Sequence, residues 1–193
     1  HLKLINASKA FNKPIINGLS DISHPCQIIS DLFTIKDHFN YLENLSISWF
    51  GDMNNVLFSY FELLALFPEI KLNVFTHKDI YVNKKIQFPF SQNINFYFDL
   101  NSKIISQSDC IMTDVFTSMN DVDTTKEKLL KPFQVNKKIM DLTKSTCIFM
   151  HCLPANKGVE VTEDVLNGDK SIVMKQAKNR LIAQKGIMKW LNI

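Results

Sequence analysis

Apolar residues recur along the chain in two rhythms. From Cys26 to Leu42 they fall at positions 28, 29, 32, 33, 35, 39 and 42, the spacing of one helical face. Pro25 stands at the first turn of that segment, where its missing N–H removes no helical hydrogen bond. Short, β-rich runs then alternate with helical patterns. Ser46-Ile47-Ser48-Trp49-Phe50 reads as a strand, and Asn54 to Phe67 as a helix closed by Pro68. Lys71 to Thr76, Asn93 to Phe98, Cys110 to Thr113 and Thr146 to Met150 read as four further strands. Helical patterns cover Ser102 to Gln107, Thr124 to Lys131, Val135 to Leu142 and Ser171 to Leu191. Residues 1–19 read as the tail of a preceding unit that ends in the Asn17-Gly18 turn signal. Strands of four to six residues alternating with helices predict an α/β fold, a parallel sheet with helices on both faces. Such sheets bind ligands outside the carboxyl ends of their strands. The polar clusters Gly51 to Asn55, Asp114 to Asn120 and His151 to Pro154 each follow a strand.

Composition narrows the function classes. An apolar fraction of 46% and a charged fraction of 21% are those of a soluble globular chain. The longest apolar stretch, Val56 to Phe67, carries Glu62 and falls short of the roughly 18 residues of a membrane helix. The net charge is only +3, and the lysines are scattered without aromatic interleaving, which speaks against nucleic acid as a partner. No Gly-x-Gly-x-x-Gly is present, so a dinucleotide fingerprint is unsupported. Cys26, Cys110, Cys147 and Cys152 form no Cys-x-x-Cys pair. They read as free thiols of a reducing compartment rather than metal ligands or disulfides, and the expected placement is cytoplasmic. Because the chain opens on His1, a targeting segment cannot be judged and an organelle stays open. Arg180 is the sole arginine among many lysines, and arginine is the residue whose planar fork grips phosphate or carbonyl oxygens.

Three segments carry candidate chemistry. His24-Pro25-Cys26-Gln27 places two polar side chains at a helix start, where an anion is favoured; the plainer reading is a capping histidine and a solvated glutamine. In His151-Cys152-Leu153-Pro154 a thiol at a strand end could handle a proton, although a free cysteine is more often a small buried hydrophobe. Asp114, opening the loop that runs through Ser118 and Met119, could grip an ammonium group or simply close a turn.

In this order, and with Gly51-Asp52, Asn55 and Asn179-Arg180 added, these segments resemble the carbamoyltransferase family over essentially the whole chain. The His-Cys-Leu-Pro segment and the Ser-Met loop are similar to its ornithine branch. The resemblance implies transfer of the carbamoyl group of carbamoyl phosphate to the side-chain amine of L-ornithine, giving citrulline and phosphate, with no metal or organic cofactor. By the same resemblance, His24, Gln27, Cys152, Leu153 and Arg180 would bind carbamoyl phosphate, Asn55, Asp114, Ser118 and Met119 would bind ornithine, and Cys152, Asp114 and Arg180 would be catalytic. It further implies a homotrimer. Residues 1–22 would be the tail of a carbamoyl-phosphate domain, 23–42 an inter-domain helix, 43–168 the ornithine-binding domain, and 169–193 a helix returning to the first domain. Both helices would pack on that domain, most of which lies outside the sequence. The family's Ser-x-Arg-Thr loop is not among the 193 residues, Asn120 stands where a glycine is usual, and Lys178 where a glutamate is usual. Two alternatives stay open: a carbamoyltransferase acting on putrescine, and a non-catalytic remnant that binds an amino acid.

Overall fold

A computed structural model describes residues 1–84, 91–117 and 124–192. Its centre is a five-stranded, all-parallel sheet. The strands are β1 (Ser46–Phe50), β2 (Lys71–Phe75), β3 (Ile94–Tyr97), β4 (Cys110–Thr113) and β5 (Ile148–His151), in the order β3-β2-β1-β4-β5. The sheet starts at β1 and is built outward on both sides, so the chain reverses direction across the sheet between β3 and β4. That reversal leaves the carboxyl ends of β1 and β4 side by side, with Phe50 in register with Thr113. It is the crevice where an open α/β sheet binds its ligand.

The helices are α1 (Leu2–Ala10), α2 (Pro25–Phe39), α3 (Asn55–Leu64), α4 (Lys78–Lys84), α5 (Ser102–Ile105), α6 (Thr124–Leu130), α7 (Lys137–Leu142), α8 (Glu163–Leu166) and α9 (Val173–Trp190). They pack in two groups, α2 with α3 and α9, and α5 with α7 and α8. Local chemistry sets their ends. Asn54 caps α3, its side-chain oxygen accepting from the N–H groups of Val56 and Leu57 at 3.1 Å each. Asn136 caps α7 in the same way, and Asn40 ends α2 in the left-handed conformation that asparagine tolerates.

The central strands are buried on both faces, and a continuous core runs from Ile28 and Leu32 of α2 through Ile47 and Trp49 to Ile139 and Phe149. Ile28, Leu32 and Ile35 face that core, whereas Ile29 and Phe33 look outward. With Ile182, Ile187 and Trp190 of α9 they line an apolar groove of about 490 Å³. Helix α1, which the sequence reading did not separate from the tail of a preceding unit, buries none of its residues. No helix among the described residues is long and apolar enough to cross a membrane.

Candidate active site

Helix α2 starts at Pro25, which makes His24 its N-cap residue. Its side chain caps nothing; instead its backbone N–H donates to Ser59 Oγ of α3 at 2.7 Å. The imidazole is buried, and Nδ1 has no hydrogen-bond partner. Burial, reinforced by the positive charge of Arg180 and opposed by Asp114, pulls its pKa down to about 4. His24 is therefore a neutral ring at pH 7, so any hydrogen bond it offers comes from an N–H rather than from a full charge.

One turn on, Gln27 is turned inward. Its Oε1 accepts from Arg180 Nη1 at 2.8 Å, and its Nε2 donates to Asp31 Oδ1 at 2.8 Å. Arg180 comes from the middle of α9 and is half-buried, so the fork is fixed on one side and has donors left over. Lys178, two residues before it, is exposed, so a glutamate there is not what holds the guanidinium in this chain.

Asp31 is fully buried and accepts three hydrogen bonds, from Gln27, from Gln176 Nε2 at 2.8 Å and from Tyr60 Oη at 3.1 Å. Burial dominates these donors and raises its carboxyl to about 6. Gln176 Oε1 in turn accepts the backbone N–H of His151 at 2.9 Å.

At the strand ends, Cys152 Sγ donates to Asp114 Oδ1 at 2.9 Å, and Asn54 Nδ2 donates to Asp114 Oδ2 at 2.7 Å. Burial first, and the Asp114 charge second, push the thiol well above its ordinary range. Cys152 thus keeps its proton at neutral pH and is a hydrogen-bond donor, while the proton-accepting member of the pair is the carboxylate. The turn after Cys152 is held from beneath. Leu153 has φ of 41°, a left-handed value rare for a branched side chain, and its N–H donates to His151 Nδ1 at 3.0 Å. His151 Nε2 faces Glu160 Oε1 at 3.1 Å, both side chains wholly buried. Because both imidazole nitrogens are engaged, the Asp114–His151–Cys152 cluster, the one three-donor group among the described residues, offers a cation no free ring nitrogen.

Gly51 forms the wall on the β1 side. Its φ of +123° suits glycine, and an added Cβ would lie 2.7 Å from Phe116 Cε1. Asp52 next to it is buried, and burial raises its carboxyl although Lys126 Nζ pairs with it at 2.6 Å. That pair fastens α6 to the turn.

The structure thus brings His24, Gln27, Cys152, Leu153, Asp114 and Arg180 to the carboxyl ends of the strands. Asn55 stands at the same helix start, but its amide donates to the carbonyl of Ser20 at 2.7 Å, and the neighbouring Asn54 is the one in contact with Asp114. Ser118 and Met119, together with Asn120, lie outside the described residues. Sequence reasoning missed Asn54, Asp31 and Gln176. For the last two a signal was present: Gln27, Asp31 and Thr34 put a polar stripe on the face of α2 that should be apolar, and Gln176, Asn179 and Arg180 repeat it on α9.

Comparisons with known proteins identify the family. Residues 43–191 match the family model "Aspartate/ornithine carbamoyltransferase, Asp/Orn binding domain". An ornithine carbamoyltransferase of Nitrobacter winogradskyi is 41% identical over 180 residues, covering 92% of this chain and 58% of that protein. The crystal structure of the ornithine carbamoyltransferase of Thermus thermophilus superposes with a TM-score of 0.84 at 32% identity, covering 98% of this chain and 63% of that one. The enzyme from Pyrococcus furiosus superposes at 0.82 and 34%, covering 97% and 62%. The chain spans about three fifths of the length of these relatives. A match of this extent to the family model, with the site residues at the strand ends, means that the chain belongs to the aspartate/ornithine carbamoyltransferase family.

Proposed function

We propose that the complete protein transfers the carbamoyl group of carbamoyl phosphate to the side-chain amine of L-ornithine, forming citrulline and phosphate. The observation that carries this reading is the pairing of Arg180 with Gln27 beside a neutral His24, next to the Cys152–Asp114 pair. The first group has the donors that a carbamoyl oxygen needs as negative charge develops on it. The second offers a carboxylate beside the attacking amine. In the proposed reaction the amine nitrogen bonds to the carbamoyl carbon, the bond from that carbon to the phosphate oxygen breaks, and Asp114 takes up the proton the amine sheds. Cys152 orients Asp114 through its thiol proton. Leu153 lines the carbamoyl pocket, Asn55, Ser118 and Met119 hold the amino-acid end of ornithine, and holding both substrates in register supplies much of the rate. Relatives named ornithine carbamoyltransferase favour ornithine over putrescine. The reading includes a cytoplasmic homotrimer, and it seats the rest of the protein, a carbamoyl-phosphate domain, on the apolar groove between α2 and α9. The test is to incubate the complete protein with carbamoyl phosphate and either ornithine or putrescine. Citrulline formation is expected; carbamoylation of putrescine alone, or of neither amine, would overturn the reading.

A further inference from the structure

Beneath the proposed site lies a polar network that touches no solvent. Asp31 is its hub: Oδ1 accepts from the amides of both Gln27 and Gln176, and Oδ2 from Tyr60 Oη. A carboxylate only accepts, so each glutamine must turn its NH₂ toward Asp31 and its carbonyl away from it. The outward carbonyl of Gln27 then meets Arg180 Nη1, and that of Gln176 meets the backbone N–H of His151, one residue before Cys152. With either amide reversed, an NH₂ group would face a guanidinium or a backbone N–H, donor against donor. We propose that Asp31 is the positioning residue that holds Arg180 and the Cys152 turn in one fixed relation, acting through Gln27 and Gln176. The proposal rests on the reading that Arg180 and Cys152 serve carbamoyl transfer.

Two substitutions at Asp31 separate positioning from mere packing. In Asp31→Asn the carbonyl can still accept both glutamine amides, while the new NH₂ donates to Tyr60 Oη, whose own proton can go to Met112 Sδ at 3.0 Å. The polarity of the network survives. In Asp31→Leu the branched shape is kept, at a larger volume, but both glutamines are released. Each variant is made in the complete protein, and two quantities are read: turnover per folded molecule, and the rate at which a maleimide alkylates Cys152, followed by peptide mass spectrometry. Cys152 is half-buried while Cys26, Cys110 and Cys147 are buried, so its rate reports the turn. Asp31→Leu is expected to lower turnover and to speed alkylation, each about tenfold, the equivalent of one lost hydrogen bond. Asp31→Asn is expected to do neither. A folded Asp31→Leu with unchanged turnover and alkylation overturns the proposal, and so does a folded Asp31→Asn that alkylates as fast as Asp31→Leu. Should Asp31→Leu fail to fold, Gln176→Met takes its place: faster alkylation is expected, and an unchanged rate overturns the idea. If the unsubstituted protein forms no citrulline, the proposed reaction falls, while the alkylation rates still decide the role of Asp31.

Discussion

Asp31→Asn should change stability in a way that depends on pH, and the sign follows from burial. The carboxyl titrates near 6 in the fold against 3.8 for an unperturbed aspartate. A folded-state pKa above the unfolded one means that protonation favours the fold. The contribution is fully present below 3.8 and is lost as pH rises through about 6, at a total cost of about 3 kcal/mol. Asparagine cannot ionise, so its variant escapes the loss. The stability difference, variant minus parent, should be small near pH 4, grow between pH 4 and 6, and level off at about 3 kcal/mol by pH 7 to 8. His24 also titrates near 4, but both proteins carry it and its effect cancels in the difference. Urea unfolding of the complete protein measures this, followed by the fluorescence of Trp49, which is buried and stands 6.3 Å from the Tyr60 ring. A difference that stays flat from pH 4 to 8, or that favours aspartate increasingly as pH rises, would refute the argument, because it would mean that the three donors balance or outweigh desolvation.

Cys152→Ala removes the donor that orients Asp114, and citrulline formation by the complete protein should fall about 10- to 100-fold, the value of a hydrogen bond to a charged group; full activity would take Cys152 out of the mechanism. Arg180→Lys keeps the charge but loses the fork that meets Gln27. Calorimetry should show carbamoyl-phosphate binding weakened by about tenfold or more, the value of a hydrogen bond to a charged group, with ornithine binding less affected; unchanged binding would make Arg180 a bystander. Gly51→Ala forces a Cβ to 2.7 Å from Phe116 at a φ of +123°. Strain and overpacking together should cost about 2–4 kcal/mol in denaturant unfolding, and a loss under about 1 kcal/mol would mean that Phe116 gives way freely.

Where the sequence was informative, side-chain burial had written the pattern. Ser46–Phe50 and Cys110–Thr113 read as strands with the bounds they have, because both are short runs rich in strand-forming residues and closed by turn residues. The last strand was begun two residues early and ended one short at Met150, since Thr146 and Cys147 have strand propensity but precede the strand that starts at Ile148. The parallel class followed from alternation; the strand order did not, because crossover direction leaves no mark on local periodicity. Helix α1 escaped for a related reason: it buries nothing in this chain, so no core imposes a stripe on it. At the site, the motif segments identified the side chains but not their directions. Adjacent asparagines 54 and 55 look alike in sequence, yet one is a helix cap with its amide on Asp114 and the other ties down the segment at Ser20.

The contacts between α2 and α9 join residues far apart in the chain. Gln27 and Arg180 are 153 positions apart, and Asp31 and Gln176 are 145. During synthesis β1 to β4 and their crossovers can leave the ribosome while α9 is still unmade. Until it arrives, Asp31 has two of its three donors, and the backbone N–H of His151 has no amide to meet. Long-range closure of this kind is slow and comes late. A nascent chain therefore acquires most of its sheet before Gln27 meets Arg180, and a product broken off ahead of Val173 would be left with an underpaired buried carboxylate, marking it for proteolysis.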